Sequence, residues 1–260
     1  MISLFLIFLN LVPNGVTVSK NKLNYTYSLT FDDGPGETTN ILLDTLHKYK
    51  LKVTFFVNGS SFCWEEPKYL KRLLVLKREV KEGHLIGNHT YRHYNMSKLT
   101  ARKQVFEIHK NELIIKKLLG VTPVFYRPPS GIMTLTSYRY LRDNGYYKAV
   151  LWDISSGDYR KRSKKYVYNV VRERMEKRKS GVVLLHDTNL GTVHAAASLL
   201  KYFYTKNCLL LKEKKSPQIY VFLRIDSYYK YMKMSIPQKL KFDSSKRAEL
   251  KKVCSTLNLQ

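Results

Sequence analysis

The chain has 260 residues, 44% of them hydrophobic, enough to bury one sizeable core of the size of a single α/β barrel domain. No period of 20–50 residues recurs, which argues against a solenoid or propeller. The net charge of +26 reads either as attraction to an anionic surface or polymer or as a lysine-rich solvated exterior. No zinc-finger spacing, RNA-binding motif or compact arginine-rich arm accompanies it, so nucleic acid is not expected as a partner.

In chain order, Met1 to about Val16 is apolar and is broken by Pro13, Asn14 and Gly15. It is short for a membrane span and fits the hydrophobic region of a signal peptide, so residues 1–16 are read as a leader and the protein as secreted or held at the cell wall or surface. No other segment is apolar enough to act as a transmembrane anchor. Strand signals follow at Tyr27–Phe31, Val53–Val57, His84–His89, Val124–Arg127, Tyr147–Trp152, Val182–His186 and Ile219–Leu223. Helical patterns fall between them: one with Leu42, Leu46 and Tyr49 on one face, then Pro67–Val80, Leu99–Leu119 stopped by Gly120, Leu135–Asp143, Lys164–Lys179 and His194–Tyr204. This alternation predicts a mostly parallel sheet, and some seven units predict a closed or nearly closed barrel. Residues 25–225 make the domain, and 226–260 read as a basic, less regular C-terminal appendage.

Cys63, Cys208 and Cys254 contain no CxxC pair, so a structural zinc knot is not expected, and in an oxidising compartment one disulfide with one leftover thiol is. Glycosylation sequons begin at Asn24, Asn58, Asn88 and Asn95.

The polar clusters Asp32-Asp33, His89/His93, Arg127, Asp158 and His186 each follow a predicted strand. In a parallel α/β fold, such strand ends gather on one face, where sites are built. Asp32 and Asp33 lie in the stretch Thr30-Phe31-Asp32-Asp33-Gly34-Pro35, and two neighbours at a strand end can point different ways and serve different tasks. His89 and His93 lie four apart; on one helical turn both imidazoles project to one side, as two metal ligands must. Two histidines and a carboxylate with open coordination positions make a hydrolytic zinc-type site. His186 ends an apolar strand and could protonate a departing amine, with Asp158 as its orienting carboxylate.

These five stretches resemble, in order, the five motifs of the polysaccharide deacetylase family, the NodB-homology domain of carbohydrate esterase family 4, over roughly residues 25–225. The resemblance implies a distorted (β/α) barrel that removes N-acetyl groups from an N-acetylglucosamine polymer, with chitin as the expected partner. It implies that Asp33, His89 and His93 bind a divalent metal, zinc or alternatively cobalt. By the same resemblance Asp32 is the general base, Arg127 pairs with Asp32, the Ser130 amide stabilises the oxyanion, and His186 is the acid tuned by Asp158. Leu184 and Tyr159 would line the acetyl-methyl pocket. The chain departs from the family pattern at Ser130, where Tyr is usual, at Ser155, where a further Asp is frequent, at Tyr159, where Trp is usual, and at Tyr94, where Pro is common. None of these removes a ligand, base or acid. They motivate the alternative of a catalytically degenerate member that binds carbohydrate or cell wall.

Overall fold

Strand β1 (Tyr25–Asp32) is buried along all but its first residue. A strand buried on both faces must be paired on both edges and covered on both sides, as in a parallel α/β core. The computed structural model, which describes residues 24–63, 68–213 and 218–257, meets this demand with eight strands. After β1 come β2 (Thr54–Val57), β3 (Leu85–Asn88), β4 (Phe125–Tyr126), β5 (Lys148–Ala149), β6 (Ile154–Ser155), β7 (Ser180–His186) and β8 (Tyr220–Phe222). The order is β5-β4-β3-β2-β1-β7-β6, and every pairing is parallel. The lower half of β1 pairs with β8 and its upper end with β2. Strands β5 and β6 do not pair, so the curled sheet is a distorted, open barrel.

The helices are α1 (Thr39–Lys48), α2 (Tyr69–Lys81), α3 (Ala101–Leu119), α4 (Leu135–Asp143), α5 (Lys164–Arg178), α6 (Leu190–Glu213), α7 (Ile225–Lys233) and α8 (Ile236–Thr256). Their ends follow local chemistry. The side chains of Thr100, Thr134 and Ser163 accept hydrogen bonds from the first turns of α3, α4 and α5, and Gly120 ends α3 at φ 69°. Strand β6 has no counterpart among the expected strands; like β4 and β5 it is two residues long, but it lies in the polar run Asp153–Asp158, whereas β4 and β5 lie within the longer apolar and aromatic stretches 124–127 and 147–152. None of the described helices is long and apolar enough to cross a membrane. The apolar stretch of residues 1–16 lies outside the described residues.

The C-terminal segment departs from the expectation of an irregular appendage. It forms two regular helices, and Ile225, Tyr228, Tyr231, Leu250 and Val253 are buried in the same core as β1 and β7. Most of its lysines are exposed, Lys239 being the buried exception, and they mask this apolar pattern in the composition. A disulfide between Cys208 on α6 and Cys254 on α8 fastens the segment, and Cys63 is the free thiol. A cross-link 46 residues apart in sequence removes chain entropy from the unfolded state worth about 4 kcal/mol. Reduction is therefore expected to lower unfolding stability by about 2–4 kcal/mol, read by urea denaturation with and without reductant. Denatured, unreduced protein should titrate as one thiol; three would remove the cross-link.

Candidate active site

The site is built where β1, β3, β4, β6 and β7 end. Asp32, the last residue of β1, is buried, and its Oδ1 accepts a 2.7 Å hydrogen bond from Arg127 Nη1. Arg127 follows β4 and is 0% exposed. Its other donors reach Thr30 Oγ1 at 2.8 Å, the Val150 carbonyl at 3.0 Å and the Leu151 carbonyl at 3.4 Å. Its guanidinium lies 4.2 Å from the centre of the Phe56 ring. A charge this deep is tolerable only when paired and bonded throughout, and here it is. Burial pushes the Asp32 carboxyl above the ordinary aspartate range, against the pull of Arg127.

Asp33 leaves the strand at φ 70°, a left-handed conformation that asparagine and aspartate adopt more readily than other side chains. Its amide still bonds the Phe56 carbonyl at 3.1 Å, while its carboxylate turns toward the histidines. Oδ1 lies 3.5 Å from His89 Nε2 and 3.6 Å from His93 Nε2. His89 is buried, and its Nδ1 sits 2.7 Å from the Arg127 carbonyl. Since a carbonyl only accepts, Nδ1 carries the proton and Nε2 presents a lone pair. Burial holds this imidazole neutral, down to about 3.

His89 and His93 do not share a helical turn, contrary to the spacing argument. They lie on an irregular loop in which Thr90 and His93 both have positive φ, 68° and 58°. The loop is held from below by Asn88, which ends β3. Its Oδ1 accepts from the Thr90 amide, and its Nδ2 donates to the Ile108 carbonyl. The Thr90 hydroxyl accepts in turn from the His93 amide. Asn88 is thus a buried scaffold residue, not an exposed sequon. No period in the sequence marks it.

The three groups are arranged to hold a metal. One ligand atom from each of Asp33, His89 and His93 lies within 4.8 Å of the others. Atoms ~2.1 Å from a tetrahedral centre are about 3.4 Å apart, close to the two Asp33–His separations. Asp33 Oδ1 is buried and has no hydrogen-bond partner among the described residues, as expected of an atom reserved for a cation.

On the other side of Asp33 stands His186, the last residue of β7, with Nε2 3.8 Å from Asp33 Oδ2. Its Nδ1 bonds Asp158 Oδ1 at 2.7 Å, and its backbone amide bonds Asp158 Oδ2 at 2.8 Å. The Thr192 hydroxyl donates to the same Oδ2 at 3.0 Å. Burial would lower the His186 pKa, but the Asp158 hydrogen bond and charge outweigh it and raise it to about 9. Asp158 is held below its ordinary range for the reciprocal reason. Next to His186, Asp187 accepts from the Thr39 hydroxyl, and its backbone carbonyl accepts from the Thr38 hydroxyl. Its carboxylate occupies the space a side chain at residue 34 would need, so the loop after Asp33 requires Gly34. Burial raises Asp187 to about 7.

The remaining expected site residues lie nearby in the fold. Ser130 is exposed in the turn after Arg127 at φ 56°. Leu184 is buried in β7 opposite Thr30, and Tyr159 is 58% exposed beside Asp158. Thr192, Asn88 and Asp187 were not singled out by the sequence reading; Asp187 could have been, as a carboxylate adjoining His186.

An open parallel barrel with a two-histidine, one-aspartate cluster at its strand ends belongs among α/β proteins suited to hold a divalent cation. A family model described as Polysaccharide deacetylase matches residues 19–149. The chain belongs to the polysaccharide deacetylase family. It is 34% identical over 192 residues to the peptidoglycan-N-acetylmuramic acid deacetylase PdaC of Bacillus subtilis, covering 73% of this chain and 38% of that protein. It is 38% identical over 119 residues to a chitin deacetylase of Arthroderma benhamiae, covering 45% and 31%. The chain thus spans less than half the length of either curated relative. The solved structure of Bacillus subtilis PdaC superposes with a TM-score of 0.60 at 27% identity, covering 92% of this chain and 98% of that chain.

Arg127→Ala would leave Asp32 buried without a partner, and should cost roughly 3–5 kcal/mol of unfolding free energy. The double variant with Asp32→Asn should cost clearly less than the sum of the two single changes in chemical denaturation, because the stranded charge is gone.

Proposed function

We propose that the protein hydrolyses the N-acetyl amide of N-acetylglucosamine residues in a polymer, with chitin oligomers as substrates, and releases acetate. The observation that carries this reading is the flanking of one candidate metal cluster by two differently poised groups. Asp32, braced by Arg127, lies on one side of Asp33, and His186, braced by Asp158, on the other. The names of the relatives, peptidoglycan and chitin deacetylases, both point to N-acetylated glycans.

Asp33, His89 and His93 would hold the cation, and a set of two imidazoles and one carboxylate suits zinc, with cobalt as a substitute. Such a cation, when bound, polarises the acetyl carbonyl and lowers the pKa of water to about 7. Asp32 is the base that takes the proton of the attacking water. Burial makes it a stronger base than an exposed aspartate, while Arg127 keeps it ionised. The Ser130 amide donates to the carbonyl oxygen as negative charge develops there. His186 holds its Nδ1 proton on Asp158 and delivers the Nε2 proton to the departing sugar nitrogen. Leu184 and Tyr159 enclose the acetyl methyl. The Cys208–Cys254 disulfide supports assignment to an oxidising compartment, in keeping with secretion or a cell-wall location.

Acetate release from chitin oligomers by zinc- or cobalt-loaded protein should fall about a hundredfold or more in Asp32→Asn. No release from either chitin oligomers or peptidoglycan would leave a carbohydrate-binding protein on this scaffold. A second test concerns His186 in metal-free protein, followed by NMR. Its imidazole should titrate near pH 9 and shift to lower pH in Asp158→Asn. The linked stability has a definite sign. The histidine contribution is fully present below 6.5 and is lost as pH rises through about 9. The aspartate contribution is fully present above 3.8 and is lost as pH falls through its lowered folded value.

A further inference from the structure

Residues 160–165 read Arg-Lys-Arg-Ser-Lys-Lys, five cations in six positions, directly after Asp158 and Tyr159. All six residues are exposed, and none of the five makes an ion pair with a carboxylate among the described residues. Arg160 lies 5.3 Å from the centre of the exposed Tyr159 ring, at the edge of the candidate active site. Lys164 and Lys165 begin α5, and from there a groove of about 720 Å3 runs between α5 and α6. Tyr168, Tyr202 and Leu209 line it with apolar surface, and Lys164, Lys165 and Lys201 stand along it. The two tyrosine rings meet edge-on with centres 6.4 Å apart.

The acids near this groove are already engaged. Glu176 accepts from Tyr202 at 2.6 Å and from Lys206 at 2.8 Å, and it also pairs with Arg172, as Glu173 does. Arg172 lies over both tyrosine rings. Lys206, which also lines the groove, is thus neutralised, whereas Lys164, Lys165 and Lys201 present uncompensated charge beside aromatic faces. Sugar rings pack on aromatic faces through their apolar C–H surfaces, and carboxylates or phosphates on the same strand would meet the ammonium groups.

We propose that the 160–165 run and the Tyr168/Tyr202 groove form one binding track for an acidic polysaccharide, leading away from the active site. The occupant is a glycan whose sugars carry carboxylate or phosphate groups. Charge complementarity fixes its sign, and the aromatic floor favours a sugar chain over a featureless polyanion. The track's continuity with Tyr159 rests on the proposed deacetylase site, but binding to it does not.

Binding of hyaluronan oligosaccharides is the test, measured by calorimetry at low salt, since exposed charges are screened as salt rises. Two triple variants are compared, Lys164→Ala/Lys165→Ala/Lys201→Ala in the track and Lys241→Ala/Lys251→Ala/Lys252→Ala on α8. They remove equal charge, and their melting midpoints report folding. The track variant should bind about tenfold more weakly than the parent, and the α8 variant within about twofold of it. Tyr168→Ala should also weaken binding with the charge intact. Equal losses in the two triple variants would show a general charge effect and overturn the site. Tighter binding of single-stranded DNA than of hyaluronan to the parent would overturn the ligand class. The Asp32→Asn protein should bind hyaluronan as the parent does, so a failed acetate assay with retained binding strikes only the deacetylase reading.

Discussion

The buried Arg127–Asp32 pair is the constraint on which the rest of the site depends. A guanidinium with no solvent contact must spend its donors inside the protein. It does so on Asp32 and Thr30 of β1 and on the Val150 and Leu151 carbonyls, which lie between β5 and β6. That is the gap where the sheet fails to close. One side chain therefore ties the first strand to the open edge of the barrel, and its own carbonyl fixes the tautomer of His89. The Asp32 carboxylate, the edge of the fold and the orientation of His89 are set by the same residue.

Two neighbouring carboxylates come to have different environments because the chain breaks its strand between them. Asp32 keeps strand geometry and stays in the interior, where Arg127 meets it. Asp33 turns left-handed and faces the histidines. Of six non-glycine residues with positive φ among the described residues, Asp33, Thr90, His93 and Ser130 lie at the site. Each such conformation costs of order 1–3 kcal/mol unless the surroundings hold it. The Phe56 carbonyl, the Asn88 amide side chain and the Thr90 hydroxyl supply the hydrogen bonds that hold the first three. Thr90 is the most telling case, because a β-branched residue resists this region most.

Much of this was legible in the sequence, and the limits have physical reasons. Strands within apolar or aromatic runs stand out in the sequence even where only two residues pair, as in β4 and β5, whereas Ile154–Ser155 is set among polar residues and carries no such run. Helix α4 is legible at both ends, from Leu135 to Asn144-Gly145, because its stop is local chemistry. Helices α7 and α8 were obscured because their lysines dominate composition while a few aromatic and aliphatic residues do the packing. At the site, the polar residues ending each strand could be picked out, since such positions otherwise favour apolar side chains. The loop geometry at His89–His93 could not. A four-residue spacing fits a helical turn, but left-handed backbone held by Asn88 and Thr90 gives the same proximity by another route.

The His186 side of the site is organised by the opposite electrostatic logic. Asp32 is a carboxylate whose burial works to neutralise it and whose partner keeps it charged. His186 is an imidazole whose burial would also neutralise it and whose partner, Asp158, prevents that. In each case a single strong neighbour favours the charged form against burial, a guanidinium for Asp32 and a carboxylate for His186. Without Arg127 the Asp32 carboxyl would drift further toward its neutral form, and without Asp158 so would the His186 imidazole. A carboxylate and an imidazole thus stand close together, each tuned mainly by one buried partner and not by solvent alone. Asp187 couples the two halves mechanically: through Thr38, Thr39 and Gly34 it fixes the loop after Asp33 against the end of the strand that carries His186. The separation of Asp32 and His186 follows from the β1–β7 pairing, in which the two are register partners, and Asp187 anchors the loop that carries Asp33 beside them.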